Sequence, residues 1–186
     1  MAIYRPARIT GDSHTGASNL GDYFNAWLKG CVQMGRAPHL PNEAFDMAPV
    51  DYVGRSIVRI ALGAGDANGN FHFYNRRRLP IPTAVATLRE AGLALEEIDY
   101  FEWRRELLAN AAVSRDNALA PFAGLFPANP DPREPSFDCS ATTRAVEPLG
   151  LICPPADAAL LRLYVRFLQS RDFFPANTHA AAEVSA

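Results

Sequence analysis

No strand in this chain of 186 residues is followed by a glycine-rich turn and a helix. That absence constrains the fold more than any feature present. An α/β protein that grips a dinucleotide normally opens with strand, glycine-rich turn and helix, the turn bringing backbone N–H groups to the pyrophosphate. The nearest approach, Gly63-x-Gly65 with Gly69, follows a helical pattern and reads as a turn. What remains is a succession of short strands and amphipathic helices, with too few strands for a complete doubly wound sheet. The fold class expected is α/β, predominantly helical with a few short strands.

Residues 2–8 begin as a β-rich run and meet Pro6, which cannot donate to a ladder, so the first strand should end there. The loop at 10–19 is dense in Gly, Ser, Asp and Asn. Leu20, Tyr23, Phe24, Trp27, Leu28 and Cys31 recur at three- and four-residue steps, predicting an amphipathic helix that closes near Gly35. Residues 36–44 read as a proline-rich connection and 45–49 as a short extended piece. Asp51 is placed to cap a helix over 52–62. Residues 71–74 (FHFY) read as a buried strand, 81–91 as a helix stopped at Gly92, and 97–100 as a short strand. Further helices are expected over 102–112, with Trp103, Leu107 and Ala111 inward, and over 117–125, 141–149 and 157–167, Asp138 or Ser140 starting the third. Four prolines within 126–135 predict an irregular loop. The chain reads as one domain over 1–176 with a frayed tail at 177–186.

Composition narrows the function classes. A net charge of −2 carries no basic excess, and Arg76-Arg77-Arg78 is too short a run to make a nucleic-acid footprint. No apolar stretch reaches the roughly eighteen residues of a membrane span, and the start lacks signal-peptide features, so no membrane partner is expected. Cys31, Cys139 and Cys153 form neither a disulfide framework nor a CxxC pair, which suits a reducing, cytoplasmic location. His39 and His72 have no partner at a metal-ligand spacing, so no metal site is expected, and His72 reads as a satisfied core histidine. Asp12-Ser13-His14 is not expected to form a hydrolase triad, because consecutive side chains diverge and no G-x-S-x-G elbow is present.

Several stretches resemble one family. Tyr4-Arg5-Pro6-Ala7-Arg8-Ile9, continuing Thr10-Gly11-Asp12-Ser13-His14-Thr15-Gly16, is similar to the YRPGRI-G-S-TG segment of thioester reductase domains, which terminate nonribosomal peptide and polyketide assembly lines. Pro49-Val50-Asp51-Tyr52-Val53 resembles their P-V-D-x-V segment, and Phe71-His72-Phe73-Tyr74-Asn75 with Leu79-Pro80 their F-H-x-x-N strand. Phe137-Asp138-Cys139, Cys153-Pro154-Pro155-Ala156-Asp157, Leu160-Leu161, Tyr164 and Phe173-Phe174-Pro175 match the final helices, so the resemblance runs in register from about residue 3 to residue 175.

The resemblance implies the C-terminal, substrate-binding portion of an extended short-chain dehydrogenase/reductase fold, without most of the Rossmann sheet. In that family NADPH reduces an acyl thioester on a carrier protein's phosphopantetheine arm to an aldehyde or alcohol. The proton-delivering Tyr-x-x-x-Lys pair does not occur here, and Lys29 is the only lysine. No catalytic residue and no cofactor binding by this chain alone are therefore expected. By resemblance, the backbone of Pro6, Ala7, Arg8 and Ile9 would lie against the nicotinamide, although the family usually has Pro-Gly where Pro6-Ala7 stands. Ser13, His14, Thr15, Gly16, Asn19 and Tyr23 would face the acyl or pantetheine arm. The implied partners are a carrier protein and a separate Rossmann half. An open edge on the Ala2–Pro6 strand would also favour a homo-oligomer. The alternative reading is a non-catalytic module that docks a carrier or holds a tethered acyl chain.

Overall fold

The frame of the molecule is a parallel strand pair with helices on its flanks. A computed structural model describes residues 1–63, 68–114, 116–129 and 137–175. Strand β1 (Ala2–Pro6) ends at the proline as expected, and β2 (Ile9–Thr10) follows it. The chain continues through α1 (Tyr23–Met34), β3 (Arg36–His39), β4 (Ala44–Phe45), β5 (Ala48–Pro49) and α2 (Val50–Leu62). After β6 (Gly69–Phe73) and β7 (Leu79–Pro80) come α3 (Ile81–Glu90), β8 (Glu96–Asp99) and α4 (Tyr100–Val113). A 3₁₀ turn (Ala120–Leu125), α5 (Ser140–Val146) and α6 (Ala158–Gln169) complete the described elements.

Strands β1 and β6 pair in parallel, Ala2 against Gly69 through Pro6 against Phe73. Side chains alternate across a strand, so Tyr4, Phe71 and Phe73 share one face and Arg5 and His72 the other. The Tyr4 and Phe71 rings stack at 5.9 Å, and Tyr52 of α2 meets Phe73 edge-on at 6.4 Å. Val53, Ile60 and Val146 close this smaller core. Among the described residues no strand other than β6 pairs with β1.

The larger core gathers α1, α3, α4 and α6 around β3 and β8, with Trp27, Leu28, Trp103, Leu107, Leu161 and Tyr164 fully enclosed. Helix α1 forms where the periodicity predicts. The Asp22 side chain accepts from Asn25 N–H at its start, and left-handed Gly35 (φ 66°) ends it by donating to Cys31 and Val32 carbonyls.

Five expectations are corrected. Residues 36–39 are strand β3, parallel to β8, rather than a connection; a two-stranded ladder tolerates Pro38 when its nitrogen faces the unpaired edge. Asp51 does not cap α2, because Pro49 takes the N-cap position and the Asp51 carboxylate turns to the 11–19 loop. Tyr100 opens α4 rather than ending a strand, since Asp99 accepts from Phe101 and Glu102 N–H. The expected helix over 117–125 is only a 3₁₀ turn from Ala120. The Asn117 side chain is occupied bonding Gly30 O and Leu119 N. His72 is not a satisfied core histidine, because its Nδ1 is buried without a hydrogen-bond partner. The expected tail at 177–186 and most of the proline-rich loop lie outside the described residues.

Burial also sets thiol chemistry. Enclosure pushes the Cys31 thiol well above its ordinary range, and burial pushes Cys153 up to about 12 despite the nearby Arg77 guanidinium. The thiolate is the nucleophile, so at about pH 8 both should resist iodoacetamide in the folded chain and label on unfolding. Site-resolved mass spectrometry checks this, and rapid native labelling of Cys153 would contradict it.

Candidate functional site

The loop between β2 and α1 joins the two cores, and a small set of side chains fixes it. Asp12 Oδ1 accepts from His14 N–H (2.9 Å), Thr15 N–H (2.8 Å) and the Thr15 hydroxyl (2.9 Å), folding residues 12–15 into a tight turn. The two backbone donors hold the Asp12 carboxyl below the usual carboxylate range. From α2, Asp51 accepts from Ser13 N–H at 2.8 Å and from the Ser13 hydroxyl at 2.9 Å. From α6, the buried Tyr164 hydroxyl donates to Gly11 O at 2.7 Å and lies 3.1 Å from Thr10 Oγ1. Gly16 lies against the α6 backbone with φ 77°.

Ser13 and His14 do not diverge, contrary to expectation. Ser13 Oγ is 3.0 Å from His14 Nδ1, and that nitrogen is 3.4 Å from Asp51 Oδ2. This is still not a hydrolase triad. A triad uses opposite imidazole nitrogens for serine and carboxylate, whereas here one nitrogen faces both. Asp12, His14 and Asp51 also place ligand atoms within 4.8 Å of one another. Asp12 Oδ1 and both Asp51 oxygens already accept from loop donors, and the cluster carries no metal assignment.

A second polar knot lies where β1 hands over to β2. Arg8 N–H donates to Asp46 Oδ2 at 3.3 Å and Asn75 N–H to Asp46 Oδ1 at 2.7 Å. Burial raises the Asp46 carboxyl above its ordinary range, and those two bonds oppose the rise. The Asn75 amide donates to Met47 O and Pro154 O, at 2.7 and 2.8 Å, tying β6 to the approach to α6. The Arg8 guanidinium lies over the rings of Tyr23 (5.2 Å) and Phe45 (5.4 Å).

The sequence-predicted residues thus fall into two adjoining groups. Pro6 and Ala7 are exposed at the end of β1, while Ala7 N–H bonds Phe73 O and Arg8 O accepts from Ala48 N–H. Ile9 pairs with Ala48 and is 40% exposed. In the second group, His14, Thr15 and Asn19 are exposed, Ser13 is turned to Asp51, Gly16 is buried, and Tyr23 is half-buried beside Arg8. Asn19 Oδ1 accepts from Gly21 N–H, and its backbone carbonyl accepts from the buried Asn25 amide. Asp51, Asp46, Asn75 and Tyr164 were not singled out as site residues. Asp51, Asn75 and Tyr164 stand among the residues quoted for the family resemblance, the signal that could have found them; Asp46 carried none.

The family described as "Male sterility protein" matches residues 1–57. The chain is 31% identical over 183 residues to the non-canonical nonribosomal peptide synthetase FrzA of Cladobotryum sp, covering 92% of this chain and 18% of that protein. It is 32% identical over 191 residues to the aldehyde reductase lnaA of Aspergillus flavus, covering 94% of this chain and 18% of that one. The solved terminal R domain from the myxalamid PKS-NRPS pathway superposes with a TM-score of 0.79 at 33% identity, over 94% of this chain and 45% of that one. The chain therefore spans less than half of the solved domain and under a fifth of each of these two relatives. The helix-rich α/β architecture matches that of solved R-domain structures. These likenesses support a thioester reductase (R) domain of the extended short-chain dehydrogenase/reductase family.

Proposed function

We propose that this chain is the substrate and carrier side of an NADPH-dependent thioester reductase, releasing a carrier-bound acyl or peptidyl thioester as aldehyde or alcohol. The observation that carries the reading is the likeness to a terminal R domain over 94% of the chain. The residues present could offer NADPH one wall but not a full site. Pro6 and Ala7 lie open at the carboxyl end of β1, and the chain holds no glycine-rich phosphate turn. NADPH would supply the hydride when bound by a nucleotide-binding half that also brings the Tyr-x-x-x-Lys pair. The edge of β1 that no described strand pairs is the natural place for that half to add a strand.

In this reading Ser13, His14, Thr15, Gly16, Asn19 and Tyr23 form the shelf for the acyl or pantetheine arm. Asp51 and Tyr164 hold the shelf at fixed height, and exposed His14, Thr15 and Asn19 offer polar contacts to the arm's amides. Reconstitution tests the proposal. The chain, a separately produced Rossmann half of an R domain and an acyl-loaded carrier protein should together consume NADPH and yield aldehyde. Each component left out should abolish turnover. Turnover by the chain without the Rossmann half, or none from the complete mixture, would sink it.

A further inference from the structure

Two polar side chains toward the carboxyl end of the open face of the β1–β6 pair have no polar partner among the described residues. Arg5 makes no hydrogen bond or ion pair among the described residues, and buried His72 Nδ1 is unpaired. They are register neighbours, so both project from the same face. Both border a cavity of about 150 Å³ completed by Pro6, Ala7, Tyr74 and Phe137.

The cavity is built rather than incidental. Phe137 stands edge-on to His72 at 5.7 Å and meets Tyr74 at 5.5 Å, giving an aromatic wall. The strand beneath is pinned to α5, since the Thr142 hydroxyl donates to His72 O at 2.7 Å. The Cys139 thiol reaches Tyr74 O at 3.6 Å. The position is also where α/β proteins bind ligands, outside the carboxyl ends of parallel strands.

Size and chemistry select the ligand class. A cavity of about 150 Å³ is known to admit a single benzene ring. Two aromatic walls favour a flat group. Arg5 offers a planar fork of donors that matches a carboxylate, and an imidazole nitrogen can donate or accept according to its tautomer. A buried unpaired nitrogen is also costly, and a ligand oxygen would relieve that cost. We propose that this cavity binds a small planar carboxylate, an aromatic ring carrying one acid group, with the ring against Phe137 and the carboxylate between Arg5 and His72. The cavity shares Pro6 and Ala7 with the wall that the reductase reading offers to NADPH, but its test uses no NADPH and no turnover, so the two can fail separately.

Benzoate, benzamide and acetate are the probes, titrated into the whole chain by two-dimensional NMR. Benzoate should shift the amides of residues 5–7 and 72–74 and bind at least about tenfold more tightly than benzamide, which keeps the ring and loses the charge. It should also outbind acetate, which keeps the charge and loses the ring. Arg5→Gln, at an exposed position that leaves the core untouched, should weaken benzoate by about tenfold or more and leave benzamide unchanged. Ala7→Leu should fill the cavity and abolish binding of both rings. Equal affinity for benzoate and benzamide, shifts confined to other residues, indifference to Arg5→Gln, or no saturable binding of any probe would each overturn the assignment.

Discussion

Gly16→Val is expected to cost this chain about 3 kcal/mol or more and to lower its thermal midpoint by roughly 6–12 °C. Two effects add. Gly16 holds φ 77°, where a β-branched side chain is strained by about 1–2 kcal/mol. A Cβ there would also stand 2.6 Å from the Leu163 carbonyl oxygen and 3.1 Å from Phe167 Cβ. Backbone carbonyls of a packed helix cannot swing aside, so either α6 or the 11–19 loop must move. Gly35 gives the control. Its φ is 66°, yet a Cβ would meet nothing within 4 Å, so Gly35→Ala should show the left-handed penalty alone, about 1 kcal/mol. Circular dichroism melts of both variants check the difference. Equal losses would mean that the close approach to α6 contributes nothing.

That contrast also shows why parts of the fold were legible in the sequence. Helix α1 could be read because its apolar spacing, its Asp22 cap and its glycine stop are local signals, each acting within one or two turns. The end of β1 at Pro6 was legible for the same reason. Strand β3 was not. Its pairing partner β8 lies about sixty residues on, and a four-residue segment containing Pro38 carries no local evidence of a ladder. The site divides along the same line. A polar turn at 11–19 was evident from composition, but the reach of Asp51 to Ser13 across 38 residues and of Tyr164 to Gly11 across 153 depends on tertiary packing. The cavity beside Arg5 and His72 exists only because register places those two residues opposite each other. Family segments supplied what local physics could not, since they bring together residues whose shared purpose is a contact.

Trp27→Ala should be comparably severe, at about 3–5 kcal/mol, because it empties a fully enclosed indole volume from the larger core. The loss should not stop at stability. The Trp27 ring meets Phe45 edge-on at 4.9 Å, Phe24 meets the same ring at 5.1 Å, and Phe45 is one of two rings over which the Arg8 guanidinium lies. Removing the indole takes away the wall that sets Phe45, and with it half the seat of Arg8. Trypsin reports this directly, because it cleaves after arginine and the Arg8–Ile9 bond is held by that seat together with the Asp46 and Ala48 contacts. Leu88→Ala, at an enclosed position on α3, should cost about 2–5 kcal/mol by the same cavity argument and serves as the comparison. If packing around Phe45 positions Arg8, Trp27→Ala should speed cleavage after Arg8 more than Leu88→Ala does at matched urea midpoints. Equal acceleration would reduce Trp27 to a general contributor to stability and leave Arg8 positioned by its backbone alone.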